Sequence, residues 1–530
     1  MTTQQLPDRP NLEQLKRQAK ELLRSARDRD VRALARFRSL PAYAGVRDDG
    51  ALAAAVALHD AQSVIARELG LASWKALVER VEELTLDLAG AVDQFIEAAT
   101  EVRPDRAERT LRLHPEMASA SFHAALLLGD VDRVGSHLAK RPGIATEVGG
   151  PRGWPPLLYL CHTSLKFGPA SRRDGLVAIA RRLLELGADP NARFPWLHHG
   201  VRRGVLWGAV CVTRSLPLAE LLLRSGADPN DGVTFPLAAG GGDVASLELL
   251  LAHGADVNQP WATDGSSTLY SILQWADTPV GVRWLLEHGA DPDPVFAVNG
   301  ETPLHVVAQR WESDLAEALV HSGADVTRRR GDGRTPYAVA ELSGNRAVAA
   351  WLERNGGSTE LSAVDRLVAA CSRGDRATVD SMLRARPALR DELGAEHYGS
   401  FYRAAERNDT IALEAMLSCG FDPNRGDEEI GKTALHAAAR EGWPDAVRVL
   451  LAHGASVAVR DREFHGQPLV WAADGVRTHA ADDRDYRMVA RLLLDAGSPV
   501  EWDAGEEPSQ EINDIIAEWH RSADTGSNRP

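Results

Sequence analysis

The sequence predicts an all-α protein in which pairs of antiparallel helices stack into a solenoid behind a small helical N-terminal domain. One observation is a phrase of the type Leu-Leu-x-x-Gly-Ala-Asp-Pro-Asn that returns about every 33 to 34 residues, the mark of a repeat architecture. The other is the helical spacing of the apolar residues between these phrases. Because one such unit cannot bury its apolar face alone, consecutive units must stack.

Length and composition set the broad class of the protein. The 530 residues are 44% hydrophobic and 25% charged, which is typical of a soluble globular protein but too long for a single core. The longest apolar runs are far shorter than the roughly 20 residues that cross a bilayer, so an integral membrane protein is excluded. The N-terminus has neither the basic start nor the apolar run of a secretory signal.

Cysteine usage and net charge indicate the compartment and the kind of partner. The four cysteines form no C-x-x-C pair, which argues against a disulfide framework or a zinc ribbon and predicts a cytoplasmic protein. The formal net charge of −15 argues against binding of the whole chain to nucleic acid or anionic lipid, because Lys and Arg supply the affinity for phosphate.

Residues 1–88 are predicted to form a helical leader that caps the array. Asn11 precedes a run of apolar residues at helical spacing, and Gln14 stands where a capping box places it. Residues 9–38 carry ten Lys or Arg against four Asp or Glu. We interpret this basic segment as a solvated helix face, and nucleic-acid binding is the alternative.

The repeats are predicted to occupy residues 92–357 and 362–503. In each phrase a glycine follows the last helical turn, where the backbone is left-handed, and Asp-Pro-Asn supplies the turn. The first two or three units are degenerate, and residues 151–230 carry insertions. The phrase glycines are Gly187, Gly226, Gly254, Gly289, Gly323, Gly420 and Gly454.

The first helix of a unit has its own start signal, a hydroxyl N-cap that is followed in the best copies by proline and a Leu-His pair. The signal stands at Thr302-Pro303-Leu304-His305, at Thr335-Pro336 and at Thr433-Ala434-Leu435-His436. The order of elements is therefore helix, short loop, helix and extended turn.

These two patterns closely resemble ankyrin repeats, whose first helix reads T-P-L-H-x-A-A. The resemblance covers residues 92 to 503 and implies helix pairs with hairpin turns and a concave, protein-binding face. It also implies that His305 and His436 are structural, with bonds to hydroxyls and main chain near the hairpins. The leader, which contains Asn11-Leu12-Glu13-Gln14-Leu15, is similar to one that precedes ankyrin repeats in many bacterial proteins.

Two segments of the chain do not follow the repeat pattern. The run from Asn355 to Thr359 is small and polar, and it is compatible both with two stacked sub-arrays and with one continuous solenoid that has an imperfect repeat. Residues 504–530 are predicted to form a capping helix, from Glu511 to Trp519, and a disordered tail.

Tryptophan is concentrated in the irregular units, because six of the 13 tryptophans lie between residues 151 and 290. Trp196 and Trp261 fall in turn or insertion segments, where they are either interface anchors or extra core for irregular repeats. The pair His198-His199 is interpreted as part of a polar loop and not as a metal site. The candidate partner-binding residues are Trp196, His198, His199, Arg202, Arg203, Trp261 and Asp264.

Catalytic signatures do not occur in a supporting context, whether a phosphate loop, a nucleophile elbow, a zinc-protease helix or a kinase motif. The sequence therefore predicts a non-enzymatic, monomeric scaffold that binds a protein partner on its concave face, without a cofactor or metal and without a membrane. One alternative is a recruiting or regulatory subunit of an enzymatic or toxin–immunity system. The other is nucleic-acid binding through the basic N-terminal helices.

Overall fold

The computed structural model describes residues 6–7, 10–40, 43, 45–71, 73–101, 104–165, 170–195, 201–478, 484–500, 512 and 515–516. The described residues are helical apart from loops, turns and one small β-hairpin. None of the described helices is long and apolar enough to span a membrane.

The leader begins with an N-cap that the sequence predicts. Asn11 Oδ1 accepts a hydrogen bond from Gln14 N (3.1 Å), which satisfies one of the free donors at the helix start. The first helix then buries one face in a separate small core. The leader helices are α1 (Leu12–Arg27), α2 (Val31–Phe37), α3 (Asp49–Ala55), α4 (Leu58–Glu68) and α5 (Trp74–Thr85).

Twelve helix pairs follow in the described residues. We call the first helix of a pair inner and the second outer. The first four pairs are α6 (Leu88–Thr100) with α7 (Pro104–Leu113), then, after the short α8 (Met117–Ala120), α9 (Phe122–Leu128) with α10 (Val131–Lys140), α11 (Pro156–Cys161) with α12 (Ala170–Glu185), and α13 (Val205–Trp207) with α14 (Leu216–Arg224). A π-helical turn, Gly208–Val212, continues α13.

The next four pairs are regular. They are α15 (Thr234–Gly240) with α16 (Val244–Ala252), α17 (Thr268–Trp275) with α18 (Val280–Glu287), α19 (Pro303–Arg310) with α20 (Ser313–His321), and α21 (Pro336–Leu342) with α22 (Arg346–Arg354). The last four are α23 (Ala363–Ser372) with α24 (Arg376–Ala385), α25 (Tyr398–Glu406) with α26 (Thr410–Cys419), α27 (Ala434–Arg440) with α28 (Pro444–Ala452), and α29 (Pro468–Thr478) with α30 (Tyr486–Asp495).

The insertion between α12 and α13 forms the one sheet among the described residues. Its strands are β1 (Arg193–Pro195) and β2 (Arg202–Gly204), which pair antiparallel with Arg193 opposite Gly204. The predicted all-α class with a helical N-terminal domain is confirmed, because this hairpin is a local addition to a helical array.

The leader is joined to the array by a buried carboxylate. Glu83 on α5 is 1% exposed and accepts hydrogen bonds from Arg80 (3.0 Å) on its own helix and from Arg109 Nη2 (3.1 Å) on α7. A buried carboxylate is tolerable only when cations and donors compensate it. Arg80 helps to neutralise Glu83, and Arg109 fixes the leader against the first pair.

Apolar packing runs through the whole array. One cluster of buried residues extends from Phe122 to Leu352, and a second extends from Leu342 to Ile515. The inner helix α21 contributes Val339 to the first cluster and Leu342 to the second. Ile512 and Ile515 are buried against the last pairs, whereas the rest of the predicted capping helix and tail lies outside the described residues.

In several turn phrases an asparagine at the end of the phrase bridges one unit to the next. Asn230 Nδ2 donates to Gly254 O (3.0 Å), and its Oδ1 accepts from Asp256 N (2.7 Å). Asn191 and Asn424 make the same two bonds to the phrase that follows each of them. The side chain thus pairs one donor and one acceptor of the next turn and fixes the spacing of the units.

The histidine of the start signal forms a second bridge. His305 Nδ1 accepts from Thr302 Oγ1 (2.8 Å) and Thr302 N (3.2 Å), and its Nε2–H donates to Arg334 O (3.1 Å) of the next unit. The same contacts join His436 to Thr433 and to Gly466 O. The ring is therefore neutral, with its proton on Nε2.

Both bridging residues are replaced where the eighth pair meets the ninth. Thr327 stands in place of the asparagine and bonds to Asp325 within its own turn (2.8 and 2.7 Å). Ala338 stands in place of the histidine, and Thr335 Oγ1 donates directly to Ser358 O (3.2 Å). This joint coincides with the irregular run that the sequence singles out.

Replacing Asn230 by alanine should loosen two neighbouring units without unfolding the array. The change removes both bridging bonds, so we expect a local loss of about 1 to 2 kcal/mol. Hydrogen–deuterium exchange should rise between residues 226 and 260. The control is Asn355→Ala, because the Asn355 amide bonds to Trp351 O of its own helix. Equal effects of the two changes would contradict the bridging role.

Acid should weaken the array through the bridging histidine. Burial lowers the pKa of His305 to about 4, so the unfolded chain takes up this proton first as the pH falls below 6.5. The stabilisation is complete above pH 6.5 and is lost toward pH 4, by about 2 kcal/mol between pH 7 and pH 5. His305→Gln should flatten this decline in local amide protection. The exposed His453→Gln should leave it unchanged, and a decline that persists in His305→Gln would contradict the assignment.

Candidate functional site

Two indoles form an exposed aromatic surface at the end of the inner helix α17. Trp275 is 41% exposed and lies over Gly240 at the end of α15, where an added Cβ would overlap the indole ring. Trp261, in the hairpin before α17, is half-buried, and its ring centroid is 6.1 Å from that of Trp275. The glycine therefore provides the space in which the indole lies flat across the neighbouring helix.

Apolar side chains continue this surface onto the next hairpin tip. Val295 and Val298 are 53% and 82% exposed, and Phe296 between them stacks on Tyr270 at a centroid distance of 4.9 Å. A cavity of about 250 Å³ separates this tip from the previous one, and Pro260 and Val295 both line it. The two tips and the two indoles form one apolar surface, which we call the indole surface.

The sequence-predicted site residues fall in different places. Trp196, His198 and His199 lie outside the described residues. Arg202 is exposed on β2, and Arg203 beside it lies over the ring of Trp207 at 4.1 Å.

The other two predicted residues share the hairpin before α17. Trp261 packs with Trp275, as described above. Asp264 is exposed, and its Oδ1 accepts from Ser266 N (2.9 Å) and Ser266 Oγ (2.6 Å). Asp264 therefore shapes the hairpin turn that carries Trp261.

Trp154 and Trp207 belong to a packed aromatic layer. Trp154 stacks near Phe194 (4.3 Å between centroids), and His162 lies 5.1 Å from Phe194 and 5.4 Å from Trp207. Burial lowers the pKa of His162 to about 4, as expected for an imidazole enclosed by rings. These residues fill the interior of irregular units.

The inner side of the array is concave near the irregular joint. Arg407, just after α25, donates from Nη2 to Gln309 O (2.8 Å) and from Nη1 to Ser343 O (3.0 Å). These carbonyls lie at the ends of α19 and α21, which belong to pairs three and two units earlier. One side chain reaches both only if the inner helix ends converge.

Three arginines meet at this bend. Arg403, one turn before Arg407 on α25, donates to Gln309 Oε1 (3.4 Å). Arg310 follows Gln309 and donates from Nη1 to Gln274 O at the end of α17. Burial lowers the pKa of Arg403 to about 10 and also lowers that of Arg310, although the charge of Glu406 opposes both shifts; repulsion from Arg407 adds to both. We call Arg310, Arg403 and Arg407 the bend arginines.

Sequence reasoning did not find the bend arginines, although one signal was available. Arg403 occupies the position within the inner helix that Val306 and Ala437 occupy in the regular units. A charge in place of a small apolar residue marks that helix as unusual. Its contact with a helix three units away depends on the curvature of the array, which the period does not encode.

A chain of hydrogen-bonded charged side chains lies beside the bend, in the units that precede α25. Glu301, which is 6% exposed, accepts from Tyr270 (3.0 Å), from Gln309 (2.9 Å) and from Arg330. Arg330 in turn donates to Asp332 (2.9 and 2.8 Å). The positions before the inner helices, which are variable surface positions in a simple array, are thus tied together.

The same chain of charges crosses the irregular joint. Arg334 donates to Asp332 (2.8 Å) and, from two nitrogens, to Asp365 Oδ1 (3.0 and 2.7 Å) on α23. It also contacts His397 Nε2 (2.9 Å), just before α25. Burial alone would raise the pKa of Asp365, but hydrogen bonds from His397 and Arg334 outweigh it and hold that pKa below its usual range. Charge therefore links the units where the asparagine and histidine bridges are replaced.

Among the described residues, no group of three or more His, Cys, Asp or Glu side chains is placed to hold a metal ion. His305 and Asp365, whose pKa values are strongly shifted, have structural partners instead. His305 lies between two units, and Asp365 lies in the charge chain.

Comparison with known families agrees with this architecture. A family model of ankyrin repeats, in three copies, matches residues 235–330, 367–461 and 401–501. A search of curated proteins gives no match. The chain contains ankyrin repeats, and the resemblance noted from its sequence is confirmed for these residues. Ankyrin repeats are generally modules of protein–protein interaction.

Breaking the charge chain should destabilise the joint selectively. Asp365→Asn leaves the buried Arg334 without one of its two carboxylates, and we expect a loss of about 3 kcal/mol. The matched control is Glu360→Gln, whose partner Arg329 and own side chain are exposed, so that its loss should stay below about 1 kcal/mol. Amide exchange across residues 330 to 400 measures both. Equal exchange in the two variants would contradict the structural role of the chain.

Proposed function

We propose that the protein is a non-enzymatic scaffold that binds a protein partner on the concave side of the array. The observation that carries the proposal is the indole surface, where Trp275 is 41% exposed beside Trp261 and two exposed valines. Apolar area of this kind is costly to leave in water, and indoles are enriched among the residues that dominate binding. The inner helix ends and hairpin tips that carry it face the concavity.

Further properties follow the same proposal. The protein acts in the cytoplasm as a monomer, and its four free cysteines, three of them buried, suit a reducing compartment. We infer that segments 92–357 and 362–503 act as one array, because charges and shared core link them. The Arg-rich composition and the leader favour a bacterial source.

The alternative functions have weaker support. The basic leader is partly neutralised within itself, since Arg36 pairs with Glu68 (2.7 Å) and Arg38 pairs with Asp49 (2.5 Å). Such pairing leaves less charge for phosphate contacts. A role as a regulatory or recruiting subunit would use the same concave surface, and it differs from the proposal only in the identity of the partner.

The indole surface can be tested in native cell extract. The variant Trp261→Ser/Trp275→Ser should keep its helical circular dichroism while retaining partners about tenfold more weakly, or about 1.4 kcal/mol. Affinity purification and mass spectrometry compare the proteins that each form retains. The control is Val244→Ser/Ile411→Ser, which alters exposed residues of the outer helices α16 and α26.

The outcomes distinguish a binding role of the two indoles at the surface from a packing role in the core. Loss of partners by the folded indole variant alone supports the proposal. Unchanged retention by that variant would place the interface elsewhere, and loss of helicity would assign the two indoles to the core.

A further inference from the structure

The bend arginines are unusual because none of them forms an ion pair with a carboxylate among the described residues. Their hydrogen bonds go to the neutral oxygens of Gln274, Gln309 and Ser343. The nearest carboxylate on α25, that of Glu406, is paired with Lys432 (3.2 Å). Three positive charges therefore converge in a chain whose net charge is −15.

Burial makes the charge of Arg403 the least compensated of the three. Its Nε is buried and has no hydrogen-bond partner, and its one bond, to Gln309 Oε1, is long at 3.4 Å. An enclosed guanidinium that lacks an anion costs free energy, which a carboxylate in bidentate contact would recover. Arg403 is half-buried, and Arg310 and Arg407 are exposed beside it, so the bend arginines are open to a ligand.

The indole surface adjoins the bend arginines. Arg310 donates to Gln274 O, and Gln274 directly precedes the exposed Trp275 on α17. A ligand that spans both must therefore carry an anionic group next to a large apolar group. An extended acidic peptide segment has this chemistry, because neighbouring side chains along it can occupy the two sites.

We propose that the bend arginines bind carboxylates of an acidic segment of the partner protein, whose adjacent apolar side chain packs on Trp275. This inference rests on the proposed function, and it specifies the chemistry of the partner. Complementary charge then supplies orientation and fast association, and the indole supplies buried apolar area.

A short fluorescein-labelled peptide with one tryptophan between glutamates and serines serves as the probe, and fluorescence anisotropy with the full chain measures its binding. We expect binding that weakens with added salt and competition by citrate, a small tricarboxylate. The same peptide with lysine in place of glutamate should not bind. Absence of binding by the acidic peptide, or equal binding by the basic one, overturns the proposal.

The matched variants locate the site. Arg310→Gln/Arg407→Gln should weaken probe binding about tenfold. Arg354→Gln/Arg384→Gln carries the same charge change on the outer helices α22 and α24, where each arginine bonds to a carbonyl of its own helix (3.0 and 3.2 Å), and it should bind the probe normally. Equal weakening by both variants overturns the site. If the first variant fails to fold, citrate competition on the wild-type chain decides: failure to displace the probe overturns the proposal.

Two further outcomes identify a wrong partner class. Single-stranded DNA that binds at the same site more tightly than the peptide reassigns the arginines to phosphate and overturns the proposal. If the acidic probe fails while Trp261→Ser/Trp275→Ser still loses its native partners, the acidic partner is wrong and the concave interaction stands. Failure of both experiments removes the proposed function as well.

Discussion

The structure depends on one constraint: a helix pair of this chain buries its apolar face only against the next pair. Apolar packing alone would let neighbouring units slide or rotate, because it has little directionality. The polar bridges of Asn230 and His305 remove that freedom, since each satisfies main-chain groups of the following unit at fixed positions. Hydrophobic burial thus drives the stacking, and a few hydrogen bonds between units fix its geometry.

The irregular joint shows how the array continues when these bridges are replaced. Thr327 and Ala338 occupy the two bridging positions there, and the ion pair of Arg334 with Asp365 crosses the joint instead. Charged pairs of this kind are sensitive to their partners and are individually costly to bury. In the same part of the array Arg407 contacts the ends of α19 and α21, in pairs two and three units earlier.

The sequence was sufficient to predict the repeated helix pairs. It was insufficient to predict the contacts that the curvature of the array makes between units. The period, the glycine turns and the Thr-Pro-Leu-His signal each report local structure, so the helix pairs and their class were predictable. The partnership of Arg407 with Gln309, and that of Trp275 with Gly240, depends on contacts between units. Trp261 was a candidate anchor from the sequence, and only the structure shows that it packs with Trp275.

Amide exchange of the full chain, free and bound to the partner that it retains from native extract, tests the central claim most directly. The concave account predicts protection at the carboxyl ends of the inner helices α15, α17, α19 and α25, together with the hairpins that carry Trp261 and Val295, while the outer helices are unchanged. Protection of outer helices or of the leader, with the inner helix ends unaffected, would contradict it.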